Sequence, residues 1–81
     1  MTSIAFEHLC QNDQLSLLNA EGVYIAKRKF KNLWVILFQL DKFYVEILYE
    51  KYRCTVKEIF ATNSMNILFF YPDDDRCNPS N

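Results

Sequence analysis

The stretch that decides the fold is LWVILFQLDKFYVEILY, Leu33 to Tyr49. It is apolar or aromatic except at Gln39, Asp41, Lys42 and Glu46. Asp41-Lys42 divides it into two runs rich in β-branched and aromatic residues, the composition of strands. A two-residue break containing Asp suits a tight antiparallel hairpin. The charges exclude a membrane-spanning helix, which needs roughly 20 nearly uncharged residues.

Working outward, VYIAKRKF (23–30) precedes this pair across a second two-residue break, Lys31-Asn32. A third break near Arg53-Cys54 leads to TVKEIF (55–60), which reads as a fourth strand or a helix. Side chains alternate between the two faces of a sheet. Two-residue loops then place Val23, Ile25, Trp34, Ile36, Phe38, Leu40, Phe43, Val45, Ile47 and Tyr49 on a first face, joined by Val56 and Phe60. The second face takes Tyr24, Ala26, Arg28, Phe30, Leu33, Val35, Leu37, Gln39, Tyr44, Glu46, Leu48, Glu50 and Ile59.

Upstream, Phe6, Leu9 and Cys10 have helical spacing, and Leu15 and Leu18 repeat it after Asn12-Asp13. One kinked helix, or a turn followed by a helix over about 12–20, fits the pattern. Gly22, the only glycine, sits where a helix C-terminus would use left-handed backbone. Downstream, Asn63-Ser64 can cap a short helix through Tyr71, which Pro72 would stop; the unbroken apolar run 67–71 also fits a strand, and a short helix is favoured. The expected fold is α+β: an N-terminal helix packed on a four-stranded antiparallel β-meander, with a short C-terminal helix. Residues 1–72 read as one domain, and 73–81, DDDRCNPSN, as a polar flexible tail.

The bulk numbers agree with one small domain. The chain has 81 residues, 51% of them hydrophobic and 16% aromatic. A chain this short buries only about 60% of its unfolded surface, so some rings are expected at the surface or in an interface. The net charge of −1 argues against a dedicated nucleic-acid binder. Three widely spaced cysteines (Cys10, Cys54, Cys77) and an N-terminus without a basic-then-apolar leader favour a reducing, cytoplasmic setting.

GVYIAKR (22–28) followed by LFQLDKFYVEILY (37–49) resembles a set of small uncharacterised bacterial proteins. In them a helix leads into G-V-Y-(I/L)-A-x-R, then into a strand pair around (Y/F)-Q-L-D-x-F-Y-V-E. The similarity runs roughly from Gln14 to Tyr49, and the C-terminal FFYPDDDR departs from it. It implies a helix-plus-antiparallel-sheet fold and carries no activity, substrate or cofactor.

Motifs for chemistry are sparse. His8 and Cys10 could supply two metal ligands, whereas zinc needs four and no second pair exists. Cys54 beside Arg53 is a thin case for a reactive thiol. Glu46 and Glu50, four apart on one strand, are separated by ~13 Å, too far to share a proton. A chain with one glycine has no phosphate-binding loop. No catalytic, cofactor or metal residue is therefore expected. What stands out is the second face, where Leu33, Val35, Leu37, Leu48 and Ile59 form an apolar patch on the order of 400 Å². This implies a non-catalytic protein–protein contact domain, with a homodimer as the simplest partner arrangement. Val35, Leu37, Leu48 and Ile59 would be central, with Tyr24, Arg28, Tyr44 and Glu46 at the rim. If the C-terminal segment folds over that face, the chain is instead a three-layer monomer. The alternative is a nucleic-acid-binding or regulatory module using the basic run Lys27-Arg28-Lys29-Phe30-Lys31.

Overall fold

The computed structural model describes residues 1–50 and 55–71. Its elements are α1 (Ser3–Glu7), α2 (Gln11–Glu21), β1 (Val23–Phe30), β2 (Leu33–Leu40), β3 (Phe43–Glu50), β4 (Thr55–Thr62) and a 3-10 helix, Met65–Phe70. The strands form one antiparallel sheet in the order β1-β2-β3-β4, a meander. The expected tail 73–81, Pro72 and the Arg53-Cys54 break lie outside the described residues.

Both tight hairpins form at the expected breaks. Phe30 pairs with Leu33, and Leu40 pairs with Phe43. The register between β2 and β3 runs unbroken from Leu40/Phe43 to Leu33/Glu50. Each loop opens on a residue with left-handed backbone, Lys31 (φ 58°) and Asp41 (φ 52°). Asp tolerates that region; for Lys it costs about 1 kcal/mol or more.

Gly22 departs from expectation. Its backbone is extended (φ −71°, ψ 146°), not left-handed. It caps α2 by donating its N–H to the Leu18 carbonyl at 2.9 Å. A Cβ there would lie 2.6 Å from that same carbonyl oxygen. Glycine is required by close approach rather than by dihedral angle.

The N-terminal segment is two helices, not one. Thr2 caps α1, accepting from the Ala5 N–H at 3.1 Å. The Gln14 side-chain amide donates to the Phe6 carbonyl at 3.0 Å and ties α2 to α1. Phe6 and Leu18 are buried on the first face against Leu40, Phe43, Val45 and Ile47. The Phe6 and Phe43 rings meet at 5.8 Å.

Two bulges change which side chains share a face. Tyr24 pairs with Phe38 and Ala26 with Leu37, so Ile25 is an extra residue in β1. Everything before it reverses sides. Tyr24 therefore lies on the first face, its ring edge-on to Phe38 at 6.2 Å, and is not on the rim of the second. Between β3 and β4 a second shift leaves Lys57 extra, and Ile47 pairs with Ile59. Ile59 thus packs with the helix-side cluster, not in the second-face patch. Phe60, opposite Glu46, takes the second face instead. Val56, opposite Tyr49, stays on the expected first face, so the extra residue Lys57 by itself reverses Ile59 and Phe60.

The C-terminal segment is a 3-10 helix rather than an α-helix. Ser64 caps it as expected, accepting from the Asn66 N–H at 3.2 Å.

Candidate functional site

The second face is the surface on which sequence and structure converge. Val35 and Leu37, at its centre, are 1% and 0% exposed. Their cover is the chain itself. They form one buried cluster with Ala26 and Tyr71, and Ile25, Tyr44, Leu48, Ile67 and Leu68 pack around it. The sheet is therefore sandwiched: helices on the first face, the 3-10 helix and Tyr71 on the second.

A polar group is buried within this second layer. Glu46, on β3, is 9% exposed. The Tyr71 hydroxyl donates to its Oε2 at 2.5 Å. Arg28, on β1, reaches across β2 and places Nη2 at 3.4 Å from the same oxygen. The guanidinium also lies over the rings of Tyr71 (5.3 Å) and Phe30 (5.6 Å). Burial pushes the Tyr71 hydroxyl well above its ordinary pKa, and the hydrogen bond and negative charge of Glu46 add to this; Arg28 opposes it. At neutral pH Tyr71 is a fixed hydrogen-bond donor that pins the C-terminal segment to the sheet. The arrangement holds structure and offers no acid–base pair.

Of the expected contact residues, Arg28, Val35, Leu37, Tyr44, Glu46 and Leu48 share the second face. Tyr24 and Ile59 do not. Tyr71 was not singled out in the sequence, although it ends a five-residue apolar run just where a bare sheet face needs cover.

The outer side of this layer is still apolar. Val23 and Phe30 face it from β1 and Phe60 from β4, and each is exposed. On the covering helix, Met65 and Phe69 are exposed, Phe69 by 84%. Met1, Ile4 and Tyr24 are the exposed large apolar residues elsewhere among the described residues; exposed apolar surface of this kind can mark a contact.

Elsewhere chemistry is thin. An open cleft of 620 Å³ lies between the N-terminus and the β2–β3 hairpin, lined by Met1, Thr2, Ser3, Asp41, Lys42, Phe43 and Asn63. Its carboxylate, Asp41, pairs with the Met1 ammonium at 2.9 Å. Among the described residues no group of three or more His, Cys, Asp or Glu could hold a metal. Nor is any helix among them long and apolar enough to cross a membrane. No protein-family model, curated protein or solved structure matches this chain.

Proposed function

We propose that this protein is a small non-catalytic protein–protein contact domain that homodimerises through the outer side of its second layer. The observation that supports this is the gathering of Val23, Phe30, Phe60, Met65 and Phe69, all exposed, on that one side. The contact lies outward of Val35 and Leu37, which the chain consumes in its own interior. A two-fold pairing brings the same patch of each copy together. Each buried Phe contributes about 1.5–3 kcal/mol. The association cost is roughly 4–15 kcal/mol, so a few such anchors suit a reversible dimer rather than a permanent one. A cytoplasmic setting belongs to the same proposal; the exposed free thiol of Cys10 supports a reducing compartment.

Light scattering on a sizing column, over a concentration series, tests it. The mass should rise from that of one chain, 9.7 kDa, towards twice that value. The double variant Phe60→Ser/Phe69→Ser should stay monomeric with an unchanged circular dichroism spectrum, because both side chains are exposed. A wild-type chain that remains monomeric up to millimolar concentration overturns the proposal.

A further inference from the structure

We infer that the open half of the first face is a binding site for single-stranded nucleic acid, built on Trp34. The buried cluster beneath the helices takes in Leu40, Phe43, Val45 and Ile47 with Phe38 beside them, and stops short of Trp34 and Tyr49. These two rings are direct cross-strand partners, so they stand side by side on the sheet. Both are half-buried, each with part of its surface open. Lys29 is the partner of Trp34 on the other side. The ammonium groups of Lys29 and Lys27 sit 5.6 and 5.1 Å from the Trp34 ring centre, and both lysines are exposed.

Among the described strand residues, the charge on this half-face has one sign. The strand carboxylates Glu46, Glu50 and Glu58 pair within the rows of the second face. Among the described residues, Lys27 and Lys29 of β1 are turned to the first, and Lys57 sits in the bulge beside Val56, the partner of Tyr49. Two adjacent rings flanked by two cations match a ligand that alternates π-faces with negative charge, which is a nucleic-acid strand with unpaired bases. Exposed cation–π contacts are worth only about 0.5–1 kcal/mol. Base stacking on an aromatic ring is worth about 1–3 kcal/mol, so a base can displace a lysine from the ring and leave its ammonium for a phosphate. The net charge of −1 describes the whole chain and does not govern this local field. The site is on the opposite side of the sheet from the proposed dimer contact and does not depend on it.

Trp34 is the only tryptophan, so its fluorescence reports this site alone. A thymidine oligomer of about twelve nucleotides, within the usual span of single-strand sites, should quench it saturably. Two phosphate contacts on a single strand give a log–log salt slope of about −1.4, an approximately sevenfold weakening for a fourfold rise in salt. Lys27→Gln/Lys29→Gln, which keeps most of the side-chain length, should lose binding; Lys42→Gln, in the hairpin at the other end of the sheet, should keep it. The fully paired duplex and a polyanion without bases, such as polyglutamate, should leave the emission unchanged. No quenching at low salt overturns the inference. So does an equal response to polyglutamate or duplex, or binding that survives loss of Lys27 and Lys29.

Discussion

Tyr71 shows how one side chain can decide what a sheet face is for. Its ring seals Val35 and Leu37, and its hydroxyl satisfies a buried carboxylate that Arg28 alone meets at only 3.4 Å. Removing the hydroxyl by Tyr71→Phe should cost about 1–3 kcal/mol, the usual penalty for stripping a buried polar partner. The same residue sets a pH dependence. Its folded pKa is raised above the ordinary value of 10.0. Below that value both folded and unfolded chains hold the proton, and the contribution is fully present. Above it the unfolded chain ionises first, so stability falls as pH climbs from about 10 towards the folded value. Denaturant melts at a series of alkaline pH values should show this fall in the wild type and a smaller one in Tyr71→Phe. Equal slopes for the two proteins would remove Tyr71 from the account. Nothing in the spacing of Tyr71 announces this role, because its partners Glu46 and Arg28 are 25 and 43 positions away in the chain.

At the scale of elements, the tight hairpins were legible and the irregular joints were not. Lys31-Asn32 and Asp41-Lys42 punctuate apolar runs, and a two-residue loop leaves one register that keeps the apolar alternation consistent. That is why Arg28, Val35, Leu37, Tyr44, Glu46 and Leu48 could be assigned to one face from the sequence. The bulge at Ile25 carries no glycine or proline to mark it, and it moved Tyr24 to the other side. The bulge at Lys57 is equally unmarked, and it exchanged the faces of Ile59 and Phe60 while Val56 kept its side. Gly22 marks the boundary between α2 and β1 in the sequence, and its extended backbone shows that left-handed geometry is not the reason. It permits the chain to turn from helix to strand against the Leu18 carbonyl without a Cβ in the way. Gly22→Ala should therefore destabilise the fold by more than about 1 kcal/mol, as expected where the added methyl meets backbone. A chemical-denaturation midpoint equal to or above that of the wild type would show that the helix–strand joint is looser than described.

At the scale of the molecule, the chain solves a problem set by its own composition. A four-stranded sheet with apolar residues on both faces needs two covers, and a chain of 81 residues has few to spare. Two short helices cover part of the first face. Seven residues, 65–71, cover the centre of the second. The outer surfaces differ in chemistry: Phe30, Phe60, Met65 and Phe69 are exposed on the second side, whereas the half-buried Trp34 with Lys27 and Lys29 marks the first, where Ile4 and Tyr24 are also exposed. The two proposed surfaces follow from that difference. The location of the dimer contact rests on the C-terminal segment lying over its own sheet, so that Val35 and Leu37 are interior. The most direct measurement is an isotope-filtered nuclear Overhauser experiment on a mixture of labelled and unlabelled chains. The account predicts strong contacts from the Leu68 methyls and the Tyr71 ring to the methyls of Val35 and Leu37 within one chain, unchanged on dilution. Contacts to Val35 and Leu37 only between labelled and unlabelled copies would contradict it, and would make the centre of that face the dimer interface itself.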